Sequence, residues 1–257
     1  MRFQKKEKRS QGNGGNLIYG FNPVLEAIRA GRALKVLVSP ARREGLETLS
    51  AEAARHRIPV EKTAASFFEG LPKGHQSVAA MVSPLKDVSV EDILSDAQKK
   101  GEPPLIVALD GVEDPRNLGG IMRSALAAGA HGMLIEKHRS AGMVPEVFKS
   151  SAGAAEYLPV SVQSNIKYAL DQLHEQGVLV VGAEAGDHPA PWQADLSGPL
   201  ALVLGGEGSG IRRIIASRCD LMVSIPLSGP VASLNVSVAT GAILFEIKRQ
   251  KSVKMKK

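Results

Sequence analysis

Short apolar runs bounded by glycine or proline alternate along most of this chain with longer segments whose apolar positions recur every three or four residues. Runs such as 200–204 (LALVL) and 222–225 (MVSI) are β-rich and brief, the pattern of buried strands. From residue 17 to 82 the pattern predicts strands at 34–38, 58–61 and 77–82 and helices over 22–30 and 44–56, a small α/β domain. Asn22 is placed to cap the first helix, with Pro23 at the first helical position, where its missing N–H costs nothing. Residues 85–103 read as a linker that carries a short amphipathic helix between prolines. Beyond them, strands at 104–110, 131–136, 158–160, 178–183, 200–204 and 221–225 alternate with helices near 116–129, 164–176, 211–217 and 235–249. Such alternation implies a parallel sheet covered on both faces. The predicted layout is a disordered basic tail at 1–15, an α/β domain at 16–84, the linker, a second α/β domain at 104–249 and a basic tail at 250–257.

Charge changes that picture by region. The net values are +4 for residues 1–15, +4 for 16–86, −7 for 87–245 and +5 for 246–257, which add to +6. Basic segments attract a polyphosphate by releasing its counterions, so the tails and the N-terminal third are where nucleic acid would be held. Arg29, Arg32, Arg42, Arg43, Arg55 and Arg57 are the candidates for phosphate contacts there. An aromatic content of 4% argues against a base-stacking platform. A single cysteine, Cys219, allows no internal disulfide, and six scattered histidines show no ligand spacing, so a reducing cytoplasm and no metal are expected. No apolar run nears the roughly 20 residues a membrane span requires, and the charged start carries no apolar leader.

The chemistry sits in three blocks. The run from Ala108 to Ala130 contains Asn117, the pair Gly119-Gly120 and Arg123; LVLGGEGSGI contains Gly205, Glu207 and Gly210; IPLSGPVASLNVS contains Ile225, Pro226, Leu227, Ser233, Leu234, Asn235 and Ser237. Asp114-Pro115 or Asn117 can cap the helix that holds Arg123. Two glycines in its first turn cost about 1 kcal/mol each relative to alanine, so a close approach of backbone or ligand must offset them. Glu207 suits the N-terminus of the helix expected after it, and Asn and Ser cap helices routinely. The glycines of 205–210 lack the register of a dinucleotide site, and no Walker motif is present.

Together the blocks, in this order, resemble the SpoU (TrmH-like) branch of the SPOUT superfamily, RNA ribose 2′-O-methyltransferases that use S-adenosylmethionine. The resemblance implies a deep trefoil knot in the last third of the chain, which periodicity does not reveal. It also implies catalytic roles for Arg123, Asn117, Glu207, Ser233 and Asn235, and a cofactor site at Gly205, Ile225, Leu227 and Leu234. By its residues alone Arg123 is a surface arginine on an amphipathic helix; the resemblance makes it the group that acts on the ribose hydroxyl, as a base activated by an RNA phosphate or by orienting hydroxyl and phosphate. Glu207 is expected to anchor Arg123 or the cofactor-loop backbone. Without the resemblance, Ile225 and Leu234 read as core residues. YGFNPVLEAIRAG and GHQSVAAMVSP resemble the ribosomal-protein-L30e-like substrate-binding domain of the members that act on 23S rRNA. The implied function is methylation of a guanosine of 23S rRNA by a homodimer, with Val238, Ala242, Phe245 and Ile247 of the last helix as a packable stripe. The alternatives are a tRNA ribose methyltransferase of the same superfamily and a non-catalytic RNA-binding assembly factor.

Overall fold

The computed structural model describes residues 16–254, which form two compact units dividing after Pro84. The expected disorder of residues 1–15 lies outside the described residues. The first unit runs β1 (Asn16–Tyr19), α1 (Phe21–Arg29), β2 (Ala33–Val38), α2 (Leu46–Arg55), β3 (Val60–Lys62), α3 (Ala65–Glu69) and β4 (Val78–Val82). Its sheet has the order β1-β4-β2-β3, with β4 antiparallel to both β1 and β2 and β3 parallel to β2. Strand β1 was not expected, because four residues beside a glycine-rich tail show too little alternation to stand out. Asn22 does not cap α1. The helix starts one residue earlier, Gly20 occupies the cap at φ +99°, and the Phe21 N–H instead donates to Gln76 Oε1 at 2.8 Å.

The second unit opens with α4 (Val90–Lys100), capped by Ser89 through a reciprocal box with Asp92. Val90, Ile93 and Ala97 of α4 are buried, and a Cβ on Gly132 would meet the Ile93 side chain at 2.5 Å. The segment expected as a linker is thus largely an element of the second unit's core; its amphipathic face found a partner that spacing alone could not name. There follow β5 (Leu105–Asp110), α5 (Pro115–Ala128), β6 (Gly132–Glu136), α6 (Pro145–Ser150), β7 (Val160–Gln163), α7 (Ile166–Glu175), β8 (Leu179–Ala183), β9 (Leu200–Gly205), α8 (Arg213–Ala216), β10 (Leu221–Val223) and α9 (Val236–Lys254). The strands form one parallel sheet in the order β10-β8-β9-β5-β6-β7.

Alternate strand residues such as Ile106, Leu134, Val180 and Val203 pack with Ile93, Leu170 and Ile215 from α4, α7 and α8. Helix α9 lies against β9 and α5, and buries Thr240, Ile243, Leu244 and Ile247. Of the expected stripe, only Ile247 is used this way. Val238 and Phe245 remain 57% and 51% exposed and Ala242 is exposed beside them, so α9 carries a second, outward apolar face. The helix also continues to Lys254, which places most of the expected basic tail in ordered structure; Lys251 donates to the carbonyl of Pro103 at 2.9 Å, and burial pulls its pKa down to about 8.

Candidate active site

Helix α5 begins at Pro115, and Asp114 is its cap, accepting from the Arg116 N–H at 2.7 Å. Asn117 is thereby released from capping, lies buried, and donates from Nδ2 to Glu207 Oε1 at 2.5 Å. Asn235 donates from Nδ2 to Asn117 Oδ1 at 3.0 Å and to Glu207 Oε1 at 3.2 Å. The Oδ1 of Asn235 accepts from the Ser237 N–H at 3.0 Å and so caps α9. One amide thus starts a helix and ties the three blocks together. Asn117 and Glu207 follow β5 and β9, adjacent strands at which the chain's order across the sheet reverses, where ligands of open α/β sheets gather.

The glycine pair of α5 answers to packing. A Cβ on Gly119 would stand 1.9 Å from Ser150 Oγ of α6, and one on Gly120 would stand 3.1 Å from the Ser237 Cβ of α9. Close approach of two helices, rather than of a ligand, is the reason for both.

Beside the three side chains opens a cavity of about 590 Å³ at the carboxyl ends of β8, β9 and β10. It is lined by all four expected cofactor residues, Gly205, Ile225, Leu227 and Leu234, and by Glu207, Ser233 and Asn235 of the expected catalytic set. Ile225 and Leu234 are therefore wall residues and not core; Leu234 is 37% exposed. Ala183, Glu184, Ala185 and Ser224 also line it and were not expected, although they sit where strands 178–183 and 221–225 were expected to end. Among the described residues the lining contains two carboxylates, Glu184 and Glu207, and no lysine, arginine or histidine.

Arg123 stands apart from this cluster. It is exposed on α5, and Glu207 is engaged by the two asparagines instead. Six residues separate Asn117 from Arg123, which carries the arginine about 9 Å along the axis and roughly 240° around it. Of the two anchors expected of Glu207, Arg123 or the cofactor-loop backbone, the one on Arg123 is not formed. Nor does Glu207 serve a helix N-terminus, since α8 begins only at Arg213. The loop is fastened by another cation. Arg212 donates its N–H to Asp110 Oδ2 at 2.8 Å, Nε to Asp110 Oδ1 at 2.6 Å and Nη2 to Glu136 Oε1 at 2.6 Å. Burial opposes its charge, but the hydrogen bonds it donates to Glu136 and Asp110 hold its pKa above the ordinary arginine value. Asp110 and Glu136 are nearly inaccessible ends of β5 and β6, so this ionic knot pins the 205–212 loop to the sheet.

The profile of the SpoU rRNA Methylase family matches residues 104–245, more than half of the chain. The chain belongs to the SpoU rRNA methylase family. A second profile, RNA 2′-O ribose methyltransferase substrate binding, matches residues 17–88. The 23S rRNA (guanosine-2′-O-)-methyltransferase RlmB of Pseudomonas putida is 41% identical over 244 residues, which cover 92% of this chain and 97% of that one. Among solved structures, the SpoU methyltransferase AviRb of Streptomyces viridochromogenes in complex with the cofactor AdoMet superposes with a TM-score of 0.79 at 27% identity, covering 93% of this chain and 91% of that one. The A. aeolicus TrmH/SpoU tRNA modifying enzyme gives a TM-score of 0.56 at 26% identity and covers 65% of this chain and 87% of its own. No helix among the described residues is long and apolar enough to cross a membrane.

Proposed function

We propose that this protein transfers a methyl group from S-adenosylmethionine to the ribose 2′-oxygen of a guanosine in 23S rRNA, as a cytoplasmic homodimer. The observation that carries the reading is the meeting of Asn117, Glu207 and Asn235, from three separate blocks, at the rim of a cavity whose charged lining groups, among the described residues, are both carboxylates. A cationic ligand suits such a wall. The volume lies within the roughly 300–1,000 Å³ of small-molecule sites, and Leu227, Leu234 and Ile225 offer an apolar surface beside strand-end backbone that can hydrogen-bond an adenine edge. When bound, S-adenosylmethionine supplies an activated methyl on a sulfonium centre.

The protein's own groups divide the remaining work. Glu207 and the two asparagines hold the cavity's rim in one geometry, and Ser233 offers a hydroxyl beside them. Arg123 is assigned the ribose 2′-hydroxyl and its neighbouring phosphate, which its guanidinium can hold by two parallel hydrogen bonds; as the 2′-oxygen takes the methyl, the hydroxyl proton would pass to water and a neutral thioether would be left. Its exposure and the absence of an acidic partner among the described residues support that role. The outward face of α9, with Val238, Ala242 and Phe245, supports a homodimer seam. The trefoil knot is assigned to the stretch from β9 to α9, which leaves the β10 edge of the sheet and returns to pack on α5. The rRNA assignment rests on likeness over nearly the full length of both chains to an enzyme named for 23S rRNA, where the A. aeolicus tRNA modifying enzyme covers 65% of this chain.

The test is incubation with labelled S-adenosylmethionine and, separately, 23S rRNA, 16S rRNA and bulk tRNA. Label is expected in the first alone, at one guanosine, within an alkali-resistant dinucleotide, because a methylated 2′-oxygen cannot attack the adjacent phosphate. Label in tRNA or on a base, or tight binding with no label, would overturn the assignment.

A further inference from the structure

The six arginines of the first unit are not equivalent once folded. Arg29 is paired with Glu26 at 2.8 Å, and Arg55 with Glu52 at 3.2 Å. Arg32 is buried and donates to the Ser83 carbonyl at 2.5 Å, a structural contact. Arg42 and Arg43, by contrast, line a cleft of about 540 Å³ together with Phe21, Asn22, Glu44 and Gln76.

Three observations mark this cleft as built for a ligand. The Arg42 guanidinium is fixed from two sides: Nη1 donates to the Gln76 carbonyl, and the group lies 5.3 Å from the centre of the Phe21 ring. Its Nε is nevertheless buried without a hydrogen-bond partner among the described residues. The loop opposite is strained, since Gln76 and Ser77, both with side chains, stand consecutively in the left-handed region at φ +52° and +56°. That conformation lets one residue clamp two loops, the Gln76 side chain accepting from the Phe21 N–H and its carbonyl from Arg42. Strain held by its surroundings in this way concentrates at binding sites.

We propose that the cleft receives one unpaired nucleotide of the RNA substrate, with its phosphate on Arg42 and Arg43 and its base edge on Asn22, Glu44 and the Gln76 amide. Glu44 decides the class of ligand. A bare phosphate would gain the two arginines and face a carboxylate, whereas a nucleotide whose base carries an amino group gives that carboxylate a donor to accept from. RNA recognition commonly takes splayed-out bases and reads their edges in this manner, with phosphates fixing the register. The inference rests on the reading that the substrate is RNA.

Filter binding of a 23S rRNA transcript to the full-length protein, with no cofactor present, reads the cleft without requiring methyl transfer. Arg42→Ala and Arg43→Ala should each weaken binding about tenfold and lower the slope of log affinity against log salt by about one, while cofactor binding by calorimetry stays unchanged. Glu44→Gln should weaken binding of the same transcript severalfold, the reverse of what loss of a repelling charge would do. Arg55→Ala, in an ion pair outside the cleft, should match the wild type. Arg43 is exposed, so its variant reports even if Arg42→Ala fails to fold. Wild-type affinity in both arginine variants, or tighter binding by Glu44→Gln, would overturn the proposal. Wild-type binding without any methyl transfer would refute the assigned activity instead, and the variants would still decide the cleft.

Discussion

The cavity at the strand ends of the second unit is lined by Glu184 and Glu207 and by no cationic side chain among the described residues, whereas the cleft of the first unit carries Arg42 and Arg43 against one acid, Glu44. The two concavities are similar in volume, about 590 and 540 Å³, so size does not separate their ligands. Charge does. A sulfonium compound would be repelled by the arginine cleft, and a polyphosphate by the carboxylate cavity. The regional charges of +4 and −7 hint at this division, but the balance of a hundred residues says nothing of which few line a hollow. Arg212 shows the difference: it stands two residues from cavity-lining Gly210, yet its charge is spent on Asp110 and Glu136 and so does not reach the cavity wall.

Releasing that cation should give the largest effect. Asp110→Ala removes the acceptor of the Arg212 N–H and Nε and leaves the guanidinium held by Glu136 alone, and two hydrogen bonds to a nearly inaccessible carboxylate are together worth about 3 kcal/mol. Urea unfolding should show that loss, and cofactor affinity should fall with it. A change below about 1 kcal/mol would mean that the knot does not hold the loop.

Arg123→Ala tests the catalytic role proposed for this arginine and its independence of the cavity. Transfer should fall by at least about a hundredfold, the lower range for a positioned proton-transfer group, with S-adenosylmethionine binding retained by calorimetry. Near-normal turnover would remove Arg123 from the mechanism, and lost cofactor binding would put it in the wall.

Glu184→Gln sharpens the charge argument itself. Even at the dielectric of water, two charges about 4 Å apart interact by about 1 kcal/mol, and Glu184 is half-buried, so the preference for the sulfonium cofactor over its neutral thioether product should narrow at least about fivefold. Equal losses for both ligands would assign Glu184 a role in shape alone.

The effect confined to the narrowest condition is expected at Lys251, whose ammonium is half-buried on the carbonyl of Pro103 and whose contribution changes only at high pH. Its folded pKa, about 8, lies below the ordinary lysine value, so the unfolded chain holds this proton more tightly. Below about pH 8 both states are charged and the burial penalty is complete and constant; above it the native state sheds the proton first, and stability rises with pH until the unfolded chain follows. The stability of wild type minus that of Lys251→Met should therefore be flat up to about pH 8 and climb above it, read by denaturant titration at several pH values. A flat difference throughout would place the ammonium in water.

The alternation of strands and helices in the second unit was legible because buried strands and amphipathic helices have different periods, and the spacing of the three blocks marked where the chemistry would lie. Less legible were elements whose meaning depends on a partner. The helix at 90–100 has an amphipathic face that fits a linker or a core equally well until β6 and α7 are beside it. The stripe of α9 was read as one face when the helix has two, Ile243, Leu244 and Ile247 inward and Val238, Ala242 and Phe245 outward. The Arg42 cleft had no local signal beyond its arginines, because Gln76 and Ser77 are ordinary residues until the fold holds them at positive φ.

By itself, then, the sequence determined the family, the parallel α/β architecture and four residues, Gly205, Ile225, Leu227 and Leu234, that line the cavity, since these reside in residue types at fixed spacing. Only the tertiary structure decided that Glu207 binds Asn117 and Asn235 and not Arg123, that Arg212 is neutralised, and which two of six arginines face a cleft. Those outcomes depend on distances between residues as far apart as 117 and 235, set by how β5, β9 and α9 stack; no spacing along the chain encodes which of several possible partners a carboxylate will reach first.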